Sequence, residues 1–418
     1  MRFPVRLSPP ATAAAATAAA VLAAVALRSY LHTRSSMATS AHRRGSAGGI
    51  TLVVSGKSTE DQHLLATATG GGSLALGEED SVEEITVSLD SGAGAGFDAG
   101  AYMAALRASR FGRWMLWSPR LASTHDLVTQ NFAKLPVGVV CVADVQFKGR
   151  GRSKNVWESP PGCLMFSFTS QKEDARKLPL MQYVVCLAMT EAIKELCCAK
   201  GLPELDVKIK WPNDLYLKGL KVGGILCTSS YQPKVYNICT GIGLNVDNEE
   251  PTTCLNAALK EMKANSSTLK REDILASFFN KFEVLFEIFT NEGFQALEEQ
   301  YYNSWLHSGQ KVVVQDGPEA QRADSVVTIQ GLTPAGYLYA IGEDGKSYEL
   351  HPDGNRVSEK EDGNSLLSQD IPEQAARCPW LQLLHESNST HLLLRPQPPS
   401  LPHHRLRSAL LKITKQPQ

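Results

Sequence analysis

Positive charge is not in surplus in this 418-residue chain: 42 lysines and arginines stand against 43 acids, a formal net charge of −1. Proteins that hold a nucleic-acid backbone carry a basic excess, so nucleic acid is not an expected partner and local basic clusters are left to serve small anions. Cysteine pairs are missing too. The nine cysteines are scattered without a CxxC, several of them inside apolar runs such as CLMFSF and NICTGIG. That spacing provides neither a zinc framework nor a set of disulfides, and reads as buried thiols in a reducing compartment. No metal site is expected. Long apolar runs are scarce: residues 11–27 are mostly alanine and at the short limit for a span, so no membrane anchor is expected.

Acid is absent before Glu60, while the first 50 residues hold six arginines and many alanines, serines and threonines. Arginine-rich, serine-rich and acid-poor is the composition of an organelle transit peptide, here over residues 1–49, which implies import into a chloroplast or mitochondrion. Met37 opens MATSAHRR, a second start whose product would stay in the cytosol.

What is present supports two or three domains. Residues 50–100 hold a strand (GITLVVSGK), a short helix (TEDQHLLATATGG) and a second strand (EEITVSL), ending in the Gly/Ala-rich DSGAGAGFDAG, which reads as a linker. No helix-turn-helix pattern stands there. From 101 to 303, β-branched runs such as VGVVCVADVQ, CLMFSFT, DVKIKW, VGGILCTSS and VYNICTGIGLNV alternate with helical patterns. One helix repeats apolar residues at Leu180, Val184, Leu187, Ala188 and Ala192 and stops at Gly201. Another carries Ile274, Leu275, Phe278, Phe279, Phe282, Leu285, Phe286 and Phe289 and stops at Gly293. The phenylalanine stripe is core. This alternation predicts an α/β arrangement on a mixed sheet. Residues 304–355 change to short strands parted by QDG, PAG and EDG, a small all-β module. Residues 356–418, rich in Pro, Ser and His, lose periodicity and read as mostly disordered.

Four stretches place polar residues at strand ends beside glycine. In SPRLASTHD, Ser123, Thr124, His125 and Asp126 follow an apolar run, and taken alone the stretch reads as a helix N-cap before it reads as a ligand site. In DVQFKGRGRSKNVWESPPG, Lys148, Arg150 and Arg152 surround Gly149 and Gly151. Glycines let backbone N–H groups approach an anion, and arginines offer forked donors to it. KIKWPNDLYLKGLKVGGIL sets Trp211-Pro212-Asn213-Asp214 as a turn after a strand, with Lys221 ahead of Gly223 and Gly224. GIGLNV carries Asn245 at a strand end. Arginines and a lysine neutralise anions, and hydroxyls hold uncharged polar groups. Joining a carboxylate to a nucleotide phosphate needs those parts, because two anions must be pushed together.

GRGRSKNVWESPPG, KWPNDLY, KVGGIL and GIGLNV, in this order and spacing, closely resemble the catalytic domain of biotin–protein ligases (holocarboxylase synthetases), nearest in form to the plant branch. The match runs from about Arg110 to Asn355. The resemblance implies an α+β fold, a class II synthetase-like mixed-sheet catalytic domain with helices over 101–303, followed by an SH3-like β module over 304–355. It implies that biotin is held by Ser123, Thr124, His125, Gln146, Arg150, Gly151, Arg152 and Lys221, and the nucleotide by Trp157, Asn213, Asp214, Gly224, Ile225 and Asn245. Lys221, Asp214 and Arg152 are the implied catalytic residues, with Asp214 aligning or deprotonating the acceptor amine. ATP with Mg²⁺ would activate biotin as biotinyl-5′-AMP, and the acceptors would be lysines of biotin carboxyl carrier domains of carboxylases. A monomer or weak dimer is expected. Two departures stand out. Ser153, Lys154 and Asn155 replace a more basic run after Arg152, and RVSEKEDGNSLLSQ replaces an aromatic, basic closing strand, so the β module is expected to lack its last strand. A lipoate or octanoate ligase of the same fold, or a biotin-binding regulator without catalysis, is the alternative. The first would want a more apolar pocket and lacks the Gly-Arg-Gly-Arg loop, and the second has no need of all four motifs.

Overall fold

The computed structural model describes residues 50–70, 74–75, 85–89, 96–152, 155–157, 159–248, 250, 252–262, 268–316, 323–352 and 357–359. The expected transit peptide and second start, nearly all of the expected tail with Cys378, and Ser153 and Lys154 lie outside these residues.

In chain order the elements are β1 (Ile50–Gly56), α1 (Thr59–Thr69), β2 (Ile85–Ser88), α2 (Ala99–Ala105), β3 (Trp114–Leu121), α3 (Thr124–Gln130), β4 (Val140–Gln146) and β5 (Cys163–Lys172). Then come α4 (Leu178–Ala199), β6 (Val207–Lys210), β7 (Asp214–Leu217), β8 (Leu220–Gln232), β9 (Val235–Asn245), α5 (Leu255–Glu261), α6 (Arg271–Asn291) and α7 (Glu298–Ser304). The C-terminal strands are β10 (Lys311–Asp316), β11 (Ala323–Leu332), β12 (Leu338–Gly342), β13 (Ser347–Leu350) and β14 (Val357–Glu359).

Among the described residues nine strands form one mixed sheet, ordered β2-β1-β3-β4-β5-β9-β8-β7-β6. The β1–β2 and β3–β4 pairs are parallel and the other neighbours antiparallel. The two helices that the apolar spacing predicts are α4 and α6. Each ends within two residues of a glycine in the left-handed region, Gly201 at φ 61° and Gly293 at φ 85°, where a Cβ would be strained. Both cover the same face of the sheet. Phe166 and Phe168 of β5 meet Phe278, Phe279 and Phe282 of α6 with ring centroids 4.9–6.0 Å apart, the edge-to-face geometry that aromatic quadrupoles favour. Phe282 is fully buried and also touches Phe111 and Phe286. Phe282→Ala is expected to lower unfolding free energy by about 3–5 kcal/mol, read as a shift of the denaturant midpoint with an unchanged slope.

Residues 50–88 depart from the expected separate segment. Their described residues add β1, β2 and α1 to the edge of the mixed sheet. Leu52, Val54 and Leu65 share one buried cluster with Leu116, Leu127, Val128 and Cys141, and Asp61 pairs with Arg113 at 2.8 Å. The physical reason is a long-range pairing: Val54 lies opposite Leu116, a contact with no local sign in the chain. The end of the expected linker is also structured, with the Asp98 carboxylate accepting from Ala101 N at 2.9 Å to cap α2.

The C-terminal module is an antiparallel sheet ordered β13-β12-β11-β10-β14. Its PAG and EDG stretches are the hairpin turns the sequence suggests, with Gly336 at φ 91° and Gly345 at φ 78°. Where the sequence reading leaves the module without a closing strand, the structure supplies a short one: Val357–Glu359 lies antiparallel on β10, Glu359 opposite Val312.

Candidate active site

The sheet has a second face, and strand register determines what looks out from it. Gly243 stands between Met165 and Gly224, Gly241 between Ser167 and Leu226, and Cys239 between Thr169 and Thr228. Neighbours across a ladder share a face and successive residues alternate. Gly224, Gly241 and Gly243 therefore face away from the phenylalanine core and form a floor without side chains. The floor is used. A Cβ on Gly241 would lie 3.0 Å from His125 Nδ1 and 3.2 Å from Ser167 Oγ, and one on Gly243 would lie 2.5 Å from Trp157 Cε2.

At one end of this floor sits a buried polar cluster. Ser123 caps α3, its hydroxyl accepting from Asp126 N at 3.3 Å, so the N-cap reading holds for it. Thr124 turns the other way. Its N–H and Oγ1 reach Gln146 Oε1 at 2.8 and 3.0 Å, and Oγ1 is 2.8 Å from Ser167 Oγ. Gln146 Nε2 donates to Ser159 Oγ at 3.2 Å. His125 Nε2 lies 3.0 Å from Thr228 Oγ1, and burial, helped by the Arg150 charge, pushes its pKa down from 6.5 to about 4. The unfolded chain therefore binds the extra proton between about pH 6.5 and 4, so the stability this histidine contributes is complete above 6.5 and is lost as pH falls through that window. The shift amounts to about 3 kcal/mol. Denaturant midpoints measured from pH 7.5 to 5 should fall in the protein and fall less in His125→Gln.

Charges gather from Arg150, beside that cluster, to Lys221 at the other end. The basic loop is pinned by both arginines. Arg150 Nε pairs with Asp126 Oδ2 at 2.9 Å, where burial raises the carboxyl's pKa against the pull of the guanidinium. Arg152 Nη1 donates to Asn213 Oδ1 at 2.9 Å. Gly151 N bonds Asn155 O, and Trp157 N bonds Gly149 O, at 2.8 and 2.9 Å. Asn213 is held by Ile225 on both sides: its Nδ2 donates to Ile225 O at 2.6 Å and its O accepts from Ile225 N at 2.9 Å. Next to it, Asp214 Oδ1 pairs with Lys221 Nζ at 2.7 Å. That ammonium stands 5.5 Å from the Trp157 ring centroid, and the ring lies on Gly224 and Gly243. An open cavity of about 410 Å³ lies beside the loop, lined by Gln146, Phe147, Trp157, Ser159 and Glu250 among others.

Most of the residues expected from the sequence thus meet on one face. One does not present its side chain there, and another is already engaged. Ile225 lies opposite Ile242 on the helix-covered face and reaches Asn213 through its backbone. Asn245 is turned to the following loop, its Nδ2 donating to Thr252 Oγ1 and Thr253 O, each at 3.2 Å. Thr252 Oγ1 in turn donates to Lys221 O at 2.7 Å, so Asn245, on the same face as Gly243, supports the Lys221 strand. Three participants carry little sequence signal. Ser167 is a lone hydroxyl in an apolar strand, Gly243 belongs to a weak GxG, and Asp126 passes for a capping residue. Among the described residues no group of three metal-ligating side chains is brought together, and no helix is long and apolar enough to cross a membrane.

Comparison with known proteins assigns the family. The chain is 55% identical over 326 residues to the chloroplastic biotin–protein ligase 1 of Arabidopsis thaliana, covering 77% of this chain and 89% of that protein. It is 60% identical over 259 residues to biotin–protein ligase 2 of the same plant, covering 62% and 79%. The chain belongs to the biotin–protein ligases. The family model for biotin/lipoate A/B protein ligases matches residues 117–245, the span from β3 to β9 that builds the glycine floor, the basic loop and the Asp214–Lys221 pair. A biotin–protein ligase from Aquifex aeolicus in complex with biotin is 23% identical with a TM-score of 0.47, covering 59% of this chain and 98% of that one. The ligase described here carries the motif residues of its family on a catalytic mixed sheet with helices, followed by a small antiparallel sheet.

Proposed function

We propose that this ligase works in two steps on the open face of the sheet, with biotin at the Thr124–Gln146–Ser167 end and ATP over the glycine floor. The observation that carries the proposal is the convergence at the other end: Arg152 bonds Asn213, and the adjacent Asp214 pairs with Lys221. The neutral, hydrogen-bond-rich ureido ring of biotin suits hydroxyl and amide partners, and Ser123, Thr124, Gln146 and Ser167 provide them. Trp157 offers its ring as the adenine platform.

In the first step a biotin carboxylate oxygen attacks the α-phosphorus of Mg·ATP. A phosphorus–oxygen bond forms, the bond to the β-phosphate breaks, and pyrophosphate leaves with its magnesium. Mg²⁺ enters as part of the nucleotide substrate. Arg152 and Lys221 offset the repulsion between the two anions and the charge that grows in the transition state. Arg150 and Gly151 lie in the loop that covers the resulting biotinyl-5′-adenylate, an anhydride that water would hydrolyse. In the second step a lysine amine of a biotin carboxyl carrier domain attacks the acyl carbon. The carbon–oxygen bond breaks, AMP leaves, and Asp214 aligns the amine and takes up its proton. A chloroplast destination for the longer product and the cytosol for one begun at Met37 fit the acid-free first 59 residues.

The test follows pyrophosphate release and transfer of labelled biotin to a carrier domain, with labelled lipoate and octanoate alongside. Biotin on the carrier lysine and none of the other two supports the reading. Adenylate formed without transfer to a carrier domain would remove that partner, and transfer of lipoate in preference would remove the biotin pocket.

A further inference from the structure

The turn that carries Asn213 and Asp214 is gripped from outside the catalytic sheet. Trp211 opens it, directly after β6. Its backbone N–H donates to His307 Nε2 at 3.0 Å. Its indole Nε1–H is shared between Tyr183 OH at 2.8 Å and Gly336 O at 3.1 Å, and Tyr183 OH itself donates to Gly336 O at 2.6 Å. His307 stands between α7 and β10, and Gly336 in the β11–β12 turn. The small sheet therefore holds Trp211 at two points, and α4 supplies Tyr183 between them.

The hydrogen-bond chemistry at His307 has one solution. A backbone N–H can only donate, so Nε2 must present its lone pair. The ring is then neutral with its proton on Nδ1, which lies 2.6 Å from Gln310 Oε1, an acceptor. The histidine is buried, with 8% of its surface exposed. Burial, together with the Lys210 charge, lowers its pKa and outweighs the Gln310 bond, favouring the neutral ring. Behind it, Leu306 N bonds Ile209 O at 3.0 Å and Ile329 N bonds Gln310 O at 2.9 Å. One short segment, 305–310, thus ties β6 to β11. Two residues beyond Trp211 the turn presents the oxygen that holds Arg152, and three residues beyond it the carboxylate that holds Lys221.

We propose that His307 is a positioning residue for adenylation: its neutral Nε2 fixes the Trp211–Asp214 turn and so sets where Arg152 and Lys221 stand relative to the reacting phosphate. The inference rests on the proposed roles of Arg152 and Lys221. It also gives the small sheet a part in the first chemical step through residues that touch neither substrate. At the biotin end Thr124 bonds Gln146 and Ser167, and Gln146 bonds Ser159, a separate set of partners, so the two ends should respond differently.

The experiment compares His307→Leu, His307→Gln and His307→Asn in the full chain, reading biotin affinity without ATP and the rate of biotin-dependent pyrophosphate exchange. Glutamine can place an acceptor where Nε2 stood, whereas asparagine places it on the Nδ1 side and leucine offers none. Misplacing catalytic groups by a fraction of an ångström to an ångström lowers rates steeply, so His307→Leu and His307→Asn should exchange about 10-fold more slowly or worse. Biotin affinity should stay within about 2-fold, and His307→Gln should recover most of the rate. Rates equal across the three variants, or losses in biotin affinity that track losses in rate, overturn the assignment. Should His307→Leu not fold, the glutamine–asparagine comparison decides alone by the same criteria. Arg152→Ala run in parallel separates the two readings. If it slows exchange while the His307 variants do not differ, only the positioning role falls. If it exchanges at the wild-type rate, the reading of the site falls and the positioning role with it.

Discussion

Lys221→Ala should slow biotin adenylation by about 100-fold or more, with biotin affinity in the absence of ATP much less affected. Lys221 Nζ is 2.7 Å from Asp214 Oδ1 and stands over the Trp157 ring, at the end of the floor away from the Thr124–Gln146 cluster. Removing it takes a positive charge from the place where a carboxylate and a phosphate must meet. It also leaves Asp214 as an unneutralised anion facing both, so the loss exceeds that of one missing contact. Asp214→Asn added to Lys221→Ala should then recover part of the loss in pyrophosphate exchange, since the repelling carboxylate is gone. If Lys221→Ala exchanges at the wild-type rate, the anion-pairing role assigned to this lysine is wrong.

Gly243→Val should raise the KM for ATP by about 10-fold or more, the scale of losing a base–aromatic stack. Its Cβ would lie 2.5 to 2.7 Å from three atoms of the Trp157 indole, closer than atoms can stand. The glycine is not in the left-handed region, so valine meets no backbone strain there, and the obstacle is the ring itself. The ring must leave the floor, and the adenine platform goes with it. Biotin binding should persist, because Ser167 stands opposite Gly241 and not Gly243, and Thr124 bonds it and Gln146 there. Steady-state kinetics with ATP varied at saturating biotin, together with the thermal midpoint, separates this outcome from a general loss of fold. An unchanged KM would mean that adenine does not rest on Trp157.

What could be read in advance follows from which interactions are local. Helices α4 and α6 are legible because their apolar residues recur at helical spacing and each stops at a glycine. The hairpin turns of the small sheet carry their own glycines. Strands β1 and β2 are visible as strands, but their membership of the catalytic sheet is not, because β1 is paired with residues some sixty positions away. The site divides the same way. Arg150, Arg152, Asn213, Asp214 and Lys221 stand in compact motifs whose charge and glycine content announce an anion site. Ser167 has meaning only beside Gly241 and Thr124, which three separate elements bring together. Asn245 stands where the resemblance implies a nucleotide contact, and its bonds to Thr252 and Thr253, which tie it to the Lys221 backbone, show in no motif. His307 shows nothing in the sequence at all, because its proposed role depends on the backbone N–H of Trp211, far away in the chain.

The central claim is that the biotin carboxylate attacks the α-phosphorus of ATP at the Arg152–Lys221 end of the floor. Biotin labelled with ¹⁸O in both carboxylate oxygens, turned over with ATP and a carrier domain, tests it most directly. The mechanism predicts one ¹⁸O in the phosphate of AMP and none in pyrophosphate, with both wild-type label pattern and slow turnover retained in Arg152→Ala. Label in a phosphate other than that of AMP, or AMP free of label, would contradict it.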